Sequence, residues 1–108
     1  MSTGQQLKEW ADLRADFETN RLTLKERISE ELHIPFNGGL FKATPELIAF
    51  LSLPLYLDEM CIEDSYGNPI KVKPKELARE LNQAYTAAMN SWLIEFEEIK
   101  RIRNGKNV

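Results

Sequence analysis

The chain has 108 residues, 43% hydrophobic and 29% charged, with a net charge of −3. That length suits one domain with its own core and is short for two. Acidic and basic residues are interleaved and no apolar run nears the ~20 residues of a bilayer span, which argues against nucleic-acid binding and membrane insertion.

The N-terminal stretch MSTGQQLKEWADLR lacks the basic-then-apolar order of a secretory signal. One cysteine, Cys61, cannot form an internal disulfide. Both features predict a cytoplasmic protein, or one of the host cytoplasm or virion if viral. The composition predicts a mainly α (α+β) single domain covering residues 1–108.

Thr3 and Gln6 have the spacing of a capping box, which predicts a first helix over residues 4–33. Its apolar stripe is Leu7, Trp10, Leu13, Phe17, Leu24, Ile28 and Leu32. Asn20 interrupts that stripe among poor helix formers, yet continuity is expected through it. Pro35 ends the helix by pushing its predecessor out of the α region. Residues 34–54 then read as a turn at Pro-Phe-Asn-Gly-Gly and a short helix. Thr44-Pro45-Glu46 starts that helix with a cap, a proline at its first position and an acid at the positive dipole end. Pro54 is expected to stop it.

Residues 55–73 predict a β-hairpin turning over Ser65-Tyr66, with Gly67 in the left-handed region. The register pairs Met60 with Val72, Ile62 with Ile70, and Asp64 with Asn68. This puts one apolar face together, while Glu59–Lys73 and Cys61–Lys71 face the other way.

Pro74 opens a long helix over residues 74–104, with Asn104-Gly105 as its exit. Its stripe is Leu77, Leu81, Ala84, Tyr85, Ala88, Trp92, Phe96 and Ile99, and Met89, Leu93 and Ile102 read as a second row. The expected architecture is two long antiparallel helices joined by the short helix and the hairpin. If His33 and Pro74 lie at one end, Trp10 faces Phe96, Phe17 faces Ala88 and Met89, and Leu24 faces Ala84. The second row, with Leu22 and Ile34, then finds no partner in the chain.

No catalytic, cofactor-binding or metal-binding residues are assigned. His33, the only histidine, reads as a helix end, and Cys61 as a small strand residue. Asp58, Glu59, Glu63, Asp64 and Asn68 match no calcium loop. Asn37-Gly38-Gly39 before the Thr44 cap lacks the lysine of a phosphate site. Trp10, Trp92, Phe17, Phe96 and Tyr85 read as core or protein interface.

The run GNPIKVKPKEL, followed by a long helix with a Tyr, a Trp and a basic end, resembles small proteins encoded by tailed phages. The likeness covers about the second half of the chain and assigns no functional residue. The expected function is a small non-enzymatic interaction or assembly protein, free of cofactors, acting as a homo-oligomer or as a subunit of a larger complex such as a phage particle. Met89, Leu93, Ile102 and the hairpin-tip Tyr66 are the expected contacts. The alternatives are an adaptor binding an enzyme or nucleic-acid machine through Lys100, Arg101, Arg103 and Lys106, and an enzyme whose site forms between subunits.

Overall fold

The computed structural model describes residues 3–53 and 57–106. The chain is mostly helical, with three helices and two small antiparallel hairpins. In order these are α1 (Thr3–Glu31), β1 (His33–Phe36), β2 (Gly39–Lys42), α2 (Pro45–Leu51), β3 (Met60–Glu63), β4 (Pro69–Val72) and α3 (Pro74–Lys106). It measures 70 × 23 × 18 Å with a radius of gyration of 20.3 Å. A compact domain of this length would have a radius near ~13 Å. The elongation comes from a head at one end and a two-helix arm.

The head is built on the first turns of α3. Leu77 and Leu81 are fully buried there with Phe41, Ala43, Leu51 and Val72. Met60, Ile62 and Ile70 pack on the same cluster, so the apolar face of the β3–β4 hairpin rests within its own chain. Its register, Met60↔Val72, Cys61↔Lys71 and Ile62↔Ile70, is the one the sequence pattern predicts. Gly67 has φ +81° and donates its N–H to the Asp64 carbonyl at 3.1 Å. Helix α2 also starts as expected: Leu47 N donates to Thr44 Oγ1 at 3.2 Å, and Pro45 follows the cap. The expected stop at Pro54 lies outside the described residues.

The β1–β2 hairpin corrects the expected turn. Asn37 (φ 51°) and Gly38 (φ 84°) form a two-residue loop, pairing Ile34 with Phe41 and His33 with Lys42. Positive φ at both loop residues matches the right-handed twist of the strands. Pro35 is accommodated because a two-stranded sheet leaves each strand an open edge. The hairpin claims His33 and Ile34, so α1 stops at Glu31. Ile34 packs against the head cluster and is not an orphan. α3 continues through Asn104 and Gly105 to Lys106.

The two hairpins are stitched by Asp64, which is buried. Its Oδ1 accepts from Asn68 N (2.8 Å) and Tyr66 N (3.0 Å), and its Oδ2 from Leu40 N (3.0 Å). Ser65 N donates to the Leu40 carbonyl at 2.7 Å. The hairpins come so close that the Ile70 side chain lies directly over Gly39.

In the arm, α1 runs unbroken through Asn20. Leu24, Ile28 and Ala88 form its buried cluster, with Met89, Trp92, Phe96 and Ile99 packed against it. Phe17 meets Phe96 with ring centroids 6.5 Å apart at 55°. The expected pairing of Phe17 with Ala88 and Met89 is thus displaced by about two turns. The head occupies the first turns of α3, so α1 packs against the later ones.

Candidate protein interface on the arm

An amphipathic helix buries its stripe only where a partner reaches it. Here the partner surface is one helix wide, and large apolar side chains remain in solvent. Leu7, Trp10 and Leu22 of α1 and Leu93, Ile94 and Ile102 of α3 are all at least half exposed, with Leu93 at 61% and Trp10 at 57%. Single exposed leucines are ordinary, but a run along one extended rod is the kind of surface that partners cover.

The four expected contact residues fall in three places. Met89 is half-buried and packs against the Leu24, Ile28 and Ala88 cluster. Leu93 stands beside it, one turn on. Ile102 is 51% exposed but does not continue their row. Nine residues separate it from Leu93, which at 100° per residue is half a revolution. Ile102 therefore belongs with Glu95 and Glu98 on the opposite side of α3. Tyr66 is 75% exposed at the tip of the second hairpin, remote in sequence from all three.

The two sides of the arm differ in chemistry. On one, Met89, Trp92, Leu93 and Phe96 line a hollow of about 350 Å³ that Arg21 and Lys25 border. Its floor is apolar. On the other, a hollow of about 440 Å³ is lined by Asn20, Thr23, Leu24, Arg27, Glu95, Glu98 and Ile99. There Arg27 and Glu95 form an ion pair across the helices. Glu98 is held below its ordinary pKa by hydrogen bonding to Arg101.

The chemically versatile residues are dispersed. His33 lies in β1, with Nδ1 3.1 Å from the Ser29 carbonyl. Cys61 is exposed in β3. Glu59 pairs with Lys71 at 3.0 Å, which lowers its pKa. Asp64, expected from sequence opposite Asn68, also ties one hairpin to the other; its backbone hydrogen bonds, that from Asn68 first, hold its carboxyl below the usual value. Among the described residues no group of three His, Cys, Asp or Glu is placed to hold a metal ion, and no helix is long and apolar enough to cross a membrane. Of the basic end expected to touch phosphates, Lys100 pairs with Glu97 at 3.8 Å and Arg101 with Glu98.

No family model, curated protein or solved structure matches the chain.

Proposed function

We propose that this is a small, non-enzymatic interaction or assembly protein that works as a homo-oligomer or as a subunit of a larger complex. In this reading α1 and α3 lie antiparallel as a projecting arm, and the partner covers the arm. The Phe17–Phe96 contact near one end of the pair and the Leu24, Ile28 and Ala88 cluster nearer the head support that direction. The observation that carries the function is the exposed apolar surface around Leu93 on the arm of a molecule 70 Å long. Each Leu or Ile that a partner covered would contribute roughly 1 kcal/mol or more.

Sedimentation equilibrium across micromolar concentrations, with affinity capture, tests the reading using Leu93→Lys. An exposed substitution of this kind changes stability by about 0.5 kcal/mol or less. The expected result is self-association, or a captured partner, that the variant loses. A strict monomer to high micromolar concentration that captures nothing dependent on Leu93 refutes it.

A further inference from the structure

The hollow floored by Met89, Trp92, Leu93 and Phe96 has a basic border. Arg14, Arg21 and Lys25 follow one another at steps of seven and four along α1, which is one edge of a helix. Lys100 continues the edge of α3 marked by Met89, Trp92 and Phe96, at steps of three and four. Arg14 lies 5.5 Å from the Trp10 ring and Lys100 5.8 Å from the Phe96 ring. Against these cations stand Glu18, 3.0 Å from Arg21, and Glu97, 3.8 Å from Lys100. Among the described residues Lys25 and Arg14 make no ion pair.

We infer that this groove takes an acidic amphipathic helix of another protein, its apolar residues on the floor and its carboxylates against Arg21 and Lys25. The inference rests on the interaction reading above and names the partner's chemistry. Helix-in-groove binding needs a concave apolar seat and anchors at helical spacing. The floor supplies the seat, because Trp92, Met89 and Phe96 are half-buried between the helices. Charge selects the occupant. A second copy meeting this face across a two-fold axis would bring its own Arg14, Arg21 and Lys25 against the first set. An anionic bilayer is flat and would meet a recessed floor that a helix can enter.

The test uses the full chain as Trp10→Phe, leaving Trp92 as the fluorescent reporter. The probes are two 18-residue helical peptides with the same Leu and Phe anchors, one flanked by Glu and one by Lys, and vesicles of phosphatidylcholine with phosphatidylserine. The expected result is a Trp92 shift with the Glu peptide that weakens as salt rises. The double variant Arg21→Glu/Lys25→Glu should bind the Glu peptide about tenfold more weakly and come to prefer the Lys peptide. Both charges are at the surface, so folding is preserved and circular dichroism verifies it. Equal binding of both peptides, binding to neither, a response to vesicles alone, or indifference to the double variant overturns the inference. Self-association lost in Leu93→Lys but unaffected by the Glu peptide overturns it while leaving the interaction reading intact.

Discussion

Replacing Gly39 by alanine probes the closest approach in the head. A Cβ at Gly39 would sit 2.7 Å from Ile70 Cγ1, 3.1 Å from its Cδ1 and 3.2 Å from Phe41 Cε2. Gly39 does not need positive φ, so alanine is allowed by its backbone and gains about 0.4–1 kcal/mol by restricting the unfolded chain. Overpacking costs about 1–3 kcal/mol, and Cγ1 moves only with χ1, which is stiff in a β-branched side chain. The clash wins, and the net loss is about 1–2 kcal/mol, or roughly 5–10 °C in Tm. Urea unfolding followed by circular dichroism measures it. Ile70→Ala removes the obstructing atoms. Alone it costs about 2 kcal/mol, the low end for such a truncation because Ile70 is half-buried. In Gly39→Ala/Ile70→Ala the methyl has room, so the double variant should be more stable than the sum of the singles by about 1 kcal/mol. Additivity within about 0.5 kcal/mol refutes the close packing of the hairpins.

Leu81→Ala, which empties a fully buried site in the head, should cost about 2–5 kcal/mol by the same unfolding assay. Asp64 gives a pH signature. Its pKa is lowered in the folded state from an ordinary 3.8, so its contribution is complete above that value and lost as pH falls through the folded pKa. Stability measured from pH 6 downward should therefore decline near and below pH 4 in the native chain, and Asp64→Asn should flatten that part of the decline.

How far these features could be read in advance varies by element. The β3–β4 register was legible because the apolar pairs Met60–Val72 and Ile62–Ile70 fall on one face, with Cys61–Lys71 between them on the other. The start of α2 was legible because Thr44, Pro45 and Glu46 act locally. The β1–β2 hairpin carried its signal in Asn37-Gly38, the dipeptide suited to a two-residue loop, but Pro35 reads equally as a helix stop. That hairpin displaces the helix pairing, since the head takes the space where Leu24 of α1 was expected to face Ala84. The apolar residues of the arm were visible as an excess. Their division into two sides follows from the nine-residue gap between Leu93 and Ile102, while the basic border needed Arg21 and Lys25 brought beside Trp92.

α3 belongs to both the head and the arm without a break. A rod rising about 1.5 Å per residue turns a tilt of a few degrees at Leu77 into several ångströms of travel at Ile102. Loosening the Asp64 stitch or the Gly39–Ile70 contact would thus re-aim the far end without altering a single residue there. The head works as the mount of a pointer, and its rigidity sets where the exposed surface around Leu93 comes to lie.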